Sequence, residues 1–105
     1  MEVKLLKSAS SFIENLDLRG RLKARRLIKR LKSEGNTLSL PTSKSLGQGL
    51  FELRLLSTIQ IRLFYCFHNN SAYILHGIVK KDQKIPKKEI DYARKIRNLL
   101  LTDNI

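Results

Sequence analysis

The stretch that decides the fold is residues 47–90, which read GQGLFELRLLSTIQIRLFYCFHNNSAYILHGIVKKDQKIPKKEI. It contains three runs of apolar, β-branched and aromatic residues, of the kind found in β-strands: Leu50 to Leu56, Gln60 to Phe67 and Ala72 to Val79. The two connections between these runs are short and carry turn-forming serine, threonine and asparagine. Because connections this short join antiparallel neighbours, the stretch predicts a three-stranded antiparallel meander.

Two helices are predicted upstream of the meander. The segment Ser11-Phe12-Ile13-Glu14 matches a capping box, in which the serine and glutamate side chains satisfy free amides of the first turn, so a short helix is expected to begin there. A second helix is expected from about Arg19 to Ser33 and is ended by Gly35. Its buried stripe, at helical spacing, comprises Leu22, Ala24, Leu27, Ile28 and Leu31.

The remaining segments complete one α+β domain. Residues 3–6 predict a short strand, and residues 37–46, rich in Ser, Thr, Pro and Lys, predict a loop. Pro86 is expected at the first position of a last helix, where its missing N–H costs nothing. We therefore expect a single domain over residues 1–105, a compact two-layer structure in which the N-terminal helices pack on the antiparallel meander and a C-terminal helix completes it.

Charge is the outlying property of the composition. The chain has 105 residues, 21 lysines and arginines against 9 acidic residues, and a formal net charge of +12. A protein this basic repels itself, and a phosphate backbone relieves that repulsion by direct pairing and counterion release. The pattern favours RNA as a partner; the alternative is a protein that is merely soluble and cationic.

The single cysteine and the short apolar runs set the expected compartment. Cys66 excludes an internal disulfide, which fits a reducing cytosol, and its apolar surroundings favour a buried structural thiol over a catalytic one. No apolar window approaches the length of a membrane span, and the N-terminus lacks the apolar core of a signal peptide. A cytoplasmic location is expected.

Two arginines on neighbouring predicted strands are the first candidates for a functional site. Arg54 and Arg62 are each flanked by apolar residues, so both side chains are expected on the same face of the sheet. Their guanidinium groups can then grip one phosphate in a bidentate manner. The alternative is a structural ion pair with Glu52, which shares the strand face of Arg54.

A lysine cluster follows the last strand. It comprises Lys80, Lys81, Lys84, Lys87 and Lys88. Cations at a helix N-terminus oppose the helix dipole, whereas a phosphate there is favoured, so the cluster predicts RNA phosphate binding. The alternative is a solvated basic loop. The same two alternatives hold for the basic face of the second predicted helix, which is expected to be mainly solvated while still steering an anion.

Histidine and tyrosine side chains are weaker candidates. His76 lies near the lysine cluster and is a candidate for proton transfer, although a strand histidine is more often packed or hydrogen-bonded. Tyr65, Tyr73 and Tyr92 can stack on bases or pack in the core; Tyr65 is taken as an RNA-binding candidate. No metal-ligand spacing and no nucleotide-binding fingerprint occur, so neither a metal nor another cofactor is expected.

These residues fit one reaction on RNA in which the protein supplies no nucleophile. The 2′-hydroxyl of the substrate attacks its own phosphate, so the protein has to stabilise extra negative charge and move protons. Arg54 and Arg62 suit the first task. Lys81, whose pKa neighbouring cations are expected to lower, suits the second.

Four of these segments together resemble the phage-derived, HigB-like branch of the RelE/ParE toxin superfamily. They are GLFELR at residues 49–54, IRLFY at 61–65, HGIVKK at 76–81 and PKKEI at 86–90. The resemblance extends from the second helix to the last. It implies the toxin of a type II toxin–antitoxin pair, with a compact fold of helices on an antiparallel sheet.

The resemblance also implies roles for individual positions. RelE-like members cleave mRNA in the ribosomal A site without metal, and Arg54, Arg62 and Lys81 match positions that contact or stabilise the cleaved phosphate. Well-known members carry a tyrosine shortly after the last basic position, where this chain has Lys84-Ile85-Pro86-Lys87. Proton transfer then needs another group, with His76, Lys81 and Lys84 as candidates.

The expected function is therefore a cytoplasmic, ribosome-dependent mRNA endonuclease that inhibits translation. HigB-like members are usually neutralised by a helix-turn-helix, HigA-like antitoxin, and operator DNA is contacted only through that antitoxin. Arg62→Ala is expected to abolish toxicity without unfolding the protein. The rivals are a ParE-like inhibitor that binds gyrase, and a non-catalytic RNA-binding module.

Overall fold

A computed structural model describes residues 1–102. The elements, in chain order, are β1 (Glu2–Leu5), α1 (Lys7–Glu14), α2 (Leu18–Glu34), β2 (Ser43–Gly47), β3 (Leu50–Arg54), β4 (Ile61–His68), β5 (Ser71–Val79) and α3 (Lys87–Leu101). A single 3₁₀ turn, Gly35–Thr37, follows α2. The strands form one sheet in the order β1-β5-β4-β3-β2, in which only β1 and β5 are parallel. The predicted α+β class is confirmed.

The predicted meander is the centre of the sheet. β3, β4 and β5 are paired antiparallel, and each begins and ends within two residues of its predicted position. One irregularity interrupts the β4–β5 ladder: Phe64 pairs with His76 while Tyr65 pairs with Ile74, so Leu75 is an extra residue on β5. His76 pairs with Phe64 across the ladder, so the two side chains lie on the same face of the sheet.

Helices cover both faces of the sheet. Side chains alternate along each strand, and one face packs against α1 and α2 through a core that includes Ala9, Leu27, Leu31, Leu53, Leu63 and Ile74. The other face packs against α3 through Leu50, Phe64, Cys66, Leu75, Ala93 and Leu100. The two-layer description therefore needs one refinement, since the C-terminal helix lies across the sheet from the N-terminal pair.

The predicted start of the first helix is wrong. α1 begins at Lys7, so Ser11 lies inside the helix and Glu14 is its last residue, and no side chain caps its first turn. The segment is placed by tertiary contacts, because the Leu6 N–H donates to the Ile74 carbonyl and Ala9 is fully buried. A buried helix face outweighs a local capping pattern of about 1 kcal/mol.

The second helix agrees with its prediction except at Leu22. Asp17 caps α2 by accepting from the Gly20 N–H at 2.8 Å, and Gly35 ends the helix with a positive φ of 55°. Leu22 is 45% exposed, whereas the other four predicted stripe residues are buried. It lies two residues before Ala24, which turns it about 200° around the helix axis and away from the core.

Two smaller predictions also change. Residues 37–46 were expected to be a loop, but β2 begins within them and pairs with β3 as an edge strand, where ladder hydrogen bonds rather than apolar side chains hold it. Pro86 is the N-cap of α3 and not its first helical residue, so the helix begins at Lys87, one residue later than predicted. Within residues 1–102, no helix has the length and apolar character needed to cross a bilayer.

Candidate nucleic-acid interface

The register of the sheet brings the two predicted arginines together. Arg54 on β3 lies directly opposite Arg62 on β4, and in the next transverse row Glu52 lies opposite Phe64, which in turn lies opposite His76. All five side chains belong to the sheet face on which α3 packs, because residues two apart on a strand share a face. The prediction that Arg54 and Arg62 share one face is confirmed.

Arg62 is buried, and its donors are already used. Its surface is 2% exposed, and its Nη1 donates to the carbonyls of Leu55 at 3.2 Å and Ile61 at 3.1 Å. Nη2 donates to the Gln60 Oε1 at 3.0 Å. Burial lowers the pKa of the guanidinium, Glu52 raises it and Arg54 lowers it. Arg62 is thus a fixed internal cation, and the expectation that it can be removed without unfolding the protein is inconsistent with these bonds.

Arg54 has a different environment. Its side chain is 24% exposed, and its Nε lies 3.6 Å from the Oε1 of Glu52, a buried carboxylate. Among residues 1–102, its guanidinium makes no hydrogen bond, and the buried Nε has only this ion-pair contact. The predicted alternative, an ion pair with Glu52, is therefore present, and it leaves the Nη groups of Arg54 available to a ligand.

The lysine cluster begins in the loop after β5 (the lysine loop), next to Arg54 and Arg62. The Lys80 N–H donates to the Gln60 carbonyl at 2.7 Å, and the Gln60 side chain accepts from Arg62, so one residue connects the loop to the buried cation. The remaining lysines of the cluster are exposed: Lys81, Lys84, Lys87 and Lys88. Of these, only Lys87 has an ion-pair partner among the described residues, Asp91 at 3.6 Å. Five cations thus surround one end of the sheet and the first turn of α3.

His76 is held by protein groups at both ring nitrogens. Nδ1 lies 2.8 Å from the Ser8 Oγ, and Nε2 lies 3.4 Å from the Glu89 Oε1. The ring stacks on Phe64 and meets the exposed Tyr92 edge-on at 4.8 Å between centroids. His76 thereby joins α1, β5 and α3. It lies on the same sheet face as the two arginines, one row away from them, and both of its ring nitrogens already have protein partners.

Sequence reasoning missed Ser8 and Glu89 because neither carries a local signal. Ser8 is 68 residues from His76 along the chain, and Glu89 is 13 residues away on a helix that only tertiary packing sets against the sheet. Arg94 and Arg97 are also missed contributors: they donate to the carbonyls of Leu46 at 2.8 Å and Gln48 at 2.5 Å. These bonds fix the C-terminal half of α3 to the β2–β3 turn.

Tyr65 belongs to the core and not to the interface. It is 1% exposed, lies on the face covered by α1 and α2, and its hydroxyl is 2.6 Å from the Ser43 Oγ. Its ring stacks on Phe51 with 5.4 Å between centroids. Because the side chain is almost wholly inaccessible to solvent, Tyr65 offers no surface to a base, and the RNA-binding role predicted for it is corrected to a structural one.

Two further groups bear on the chemistry. Burial raises the pKa of Cys66 to about 11, with Arg97 acting in the opposite direction, so the thiol stays protonated and unreactive near neutral pH. Among residues 1–102, no group of three or more His, Cys, Asp or Glu side chains is placed to hold a metal ion. The side chains present at this face include its cations, His76 and the exposed Tyr92.

The arrangement suits an anion that carries its own nucleophile. Glu52 compensates only one of the two arginines, so Arg54, Arg62 and the exposed lysines together carry a net positive charge that can stabilise negative charge on a phosphate.

Comparison with known proteins agrees with the resemblance at the level of the family. No curated protein matches the chain. Residues 11–98 match the family model described as phage derived protein Gp49-like (DUF891), and this range includes every element from the middle of α1 to most of α3. Since the match covers most of the chain, the protein belongs to this phage-derived Gp49-like family, which is linked to RelE-like toxins.

Proposed function

We propose that the protein is the toxin of a type II toxin–antitoxin pair and acts as a ribosome-dependent mRNA endonuclease. The observation that carries the proposal is the Arg54 guanidinium, whose Nη donors make no hydrogen bond within residues 1–102, next to the exposed lysines at one end of the sheet. Membership of a family linked to RelE-like toxins supports it. So does the net charge of +12, which favours a polyanionic partner.

The proposed reaction is an internal transesterification of RNA. The 2′-oxygen forms a bond to the adjacent phosphorus, the bond from phosphorus to the 5′-oxygen breaks, and the products are a 2′,3′-cyclic phosphate and a 5′-hydroxyl. Arg54 and Lys81 stabilise the additional charge on the pentacoordinate phosphate. The proton of the 2′-hydroxyl passes to a base, and an acid returns one to the 5′-oxygen. Lys81 and Lys84 are the candidates for these two roles, and His76 is a further one.

Other groups in this proposal bind without reacting. Lys80, Lys87 and Lys88 hold phosphates that flank the cleaved bond, with Lys87 and Lys88 in the first turn of α3, where a helix N-terminus favours an anion. Arg62 supports the site from inside the sheet through its three hydrogen bonds. In the same proposal a helix-turn-helix antitoxin neutralises the toxin by covering this basic face.

The test is induction of the chain without an antitoxin, followed by mapping of transcript ends. The wild type is expected to stop growth and to produce codon-linked cuts in translated mRNA. Arg54→Gln is expected to reduce cutting at least tenfold. Arg19→Gln, which removes one exposed positive charge on the opposite side of the sheet, is the matched control and is expected to keep cutting.

Three results would contradict the proposal. Intact mRNA together with an SOS response would favour a gyrase inhibitor of the ParE type. RNA binding without cuts or growth arrest would favour a non-catalytic RNA-binding module. Equal loss of cutting in Arg54→Gln and Arg19→Gln would show that overall charge matters and that the arginine at the interface has no special role.

A further inference from the structure

Glu52 is a buried carboxylate at the candidate interface, and the roles assigned above leave it unexplained. It is 4% exposed, and its Oε2 has no hydrogen-bond partner among the described residues. The Arg54 Nε facing its other oxygen is likewise buried without a hydrogen bond. Buried charged groups without hydrogen bonds are costly and uncommon in folded proteins. A local arrangement with this cost usually serves a site.

The position of Glu52 relates it to both arginines. It shares β3 and a sheet face with Arg54, and it is the diagonal neighbour of Arg62, which lies opposite Arg54. Two like charges opposite each other on a sheet repel, and a carboxylate beside them reduces that repulsion. Glu52 therefore compensates one of the two cations and leaves a net positive charge at this point of the sheet.

The contact between Glu52 and Arg54 is an ion pair without a hydrogen bond, and it attracts one side of the guanidinium. The group is planar and carries five N–H donors in a fixed arrangement, one on Nε and four on the Nη nitrogens. Attraction of the Nε side by the buried Glu52 carboxylate favours some orientations of the guanidinium plane over others. One Nη N–H is parallel to the Nε–H and points to the same side, whereas the other three point elsewhere; none of the four is hydrogen-bonded within residues 1–102.

We propose that Glu52 is the positioning residue of the interface: it orients Arg54 so that the Nη donors meet a phosphate of the bound RNA. The inference rests on the proposed function for its ligand, a phosphodiester. Glu52 does not itself touch the substrate, because its Oε2 is inaccessible to solvent and therefore to the 2′-hydroxyl. Arg62, held by carbonyl groups, needs no such partner.

Glu52→Gln distinguishes a loss of Arg54 orientation from a simple change of charge. The amide keeps the shape of the side chain but removes a negative charge near the phosphate. The charge change predicts equal or tighter RNA binding, whereas the loss of orientation predicts slower cleavage. We expect the dissociation constant of a short single-stranded RNA to stay equal or fall. We expect single-turnover cleavage of mRNA on programmed ribosomes to slow at least tenfold.

A double-mutant cycle tests whether Glu52 acts through Arg54. Adding Glu52→Gln to Arg54→Gln is expected to cause no further loss of cleavage, because the group to be oriented is already absent. A merely structural role predicts that the two losses multiply. Either multiplied losses, or wild-type cleavage by a folded Glu52→Gln protein, would overturn the inference.

Two controls keep the test decisive. If Glu52→Gln fails to fold, as judged by circular dichroism, Glu52→Asp keeps the charge but shortens the reach, and it is expected to slow cleavage as well; wild-type cleavage by it would overturn the inference. If the wild type does not cleave, the proposed function fails separately. The Arg54 Nε–Hε resonance then reports directly on orientation: it is expected to be dispersed in the wild type and to join the exposed-arginine signals in Glu52→Gln. An unchanged resonance would refute the inference.

Discussion

Arg54 and Arg62 face each other across β3 and β4, yet Arg62 is 2% exposed and donates three hydrogen bonds while Arg54 reaches solvent and donates none among the described residues. Opposed like charges weaken a sheet. Carbonyl groups offset that cost for Arg62, and Glu52 does so for Arg54. The two arginines that look equivalent in the sequence therefore have separate roles, one inside the fold and one at its surface.

Arg62→Ala is expected to destabilise the protein as well as to inactivate it. The substitution leaves the carbonyls of Leu55 and Ile61 without their donor, opens a cavity and removes a cation near the buried Glu52. Losing one partner of a buried charged network costs about 3–5 kcal/mol. Urea denaturation is the measurement, with Arg26→Ala, at an exposed position of α2, as the control. An Arg62→Ala protein as stable as this control would contradict the structural role assigned to Arg62.

The meander could be predicted from the sequence because its signals are local. Runs of β-formers separated by short polar turns specify both the strands and their antiparallel pairing, and alternation then placed Arg54 and Arg62 on one face. β2 was missed because Ser43-Lys44-Ser45 has no strand-like pattern and is held by backbone pairing to β3. The start of α1 was missed because burial against β5 sets it.

The sequence indicated most residues of the candidate site, but not how buried each one is or what it contacts. Charge and strand parity indicated Arg54, Arg62 and the lysine loop, and the register confirms that the two arginines meet. The burial of Arg62 depends on the carbonyls of Leu55 and Ile61, and Leu55 belongs to the β3–β4 connection, whose path the sequence does not reveal. Tyr65 was a candidate only because a tyrosine ring can stack on bases; its odd spacing from Arg62 along β4 puts it on the opposite face of the sheet, where α1 and α2 cover it.

The lysines in the first turn of α3 are expected to lower the stability of the fold while they strengthen RNA binding. Lys88→Gln removes a cation from a helix N-terminus and should raise the free energy of unfolding by about 0.3–1 kcal/mol. The same change should weaken RNA binding and reduce the slope of log affinity against log salt by about 0.7, the value for one phosphate contact on a single strand. Thermal denaturation and a salt titration of RNA binding measure the two effects.

Lys32→Gln is the matched control for that pair of effects. Lys32 lies in the last turn of α2, where a cation favours the helix dipole, so its loss should lower the stability that Lys88→Gln raises. If both substitutions change the free energy of unfolding in the same direction, the helix dipole does not account for their effects. If Lys88→Gln leaves the salt slope unchanged, Lys88 does not contact RNA phosphate.

Gly77→Ala is expected to destabilise the fold by overpacking the contact between α1 and the sheet. A Cβ at this position would lie 2.8 Å from the Phe12 Cε2 and 2.9 Å from the Leu63 Cδ2, both packed side chains of the core beneath α1. Overpacking of this kind typically costs about 1–3 kcal/mol. The change should appear in the urea midpoint, and Phe12→Leu in the same chain should recover part of it by making room. An unchanged midpoint for Gly77→Ala would contradict the close contact between α1 and β5.

Cys66 is expected to make the fold sensitive to alkali. Burial raises its pKa from an ordinary 9.0 to about 11, so the folded protein holds the thiol proton more tightly than the unfolded chain. The resulting stabilisation, about 2–3 kcal/mol at 1.36 kcal/mol per pKa unit, is complete below pH 9 and is lost as the pH rises through 11. Denaturation between pH 8 and 11 should show this loss in the wild type and a smaller one in Cys66→Ala. Equal slopes in the two proteins would mean that the thiol ionises as readily in the fold as outside it.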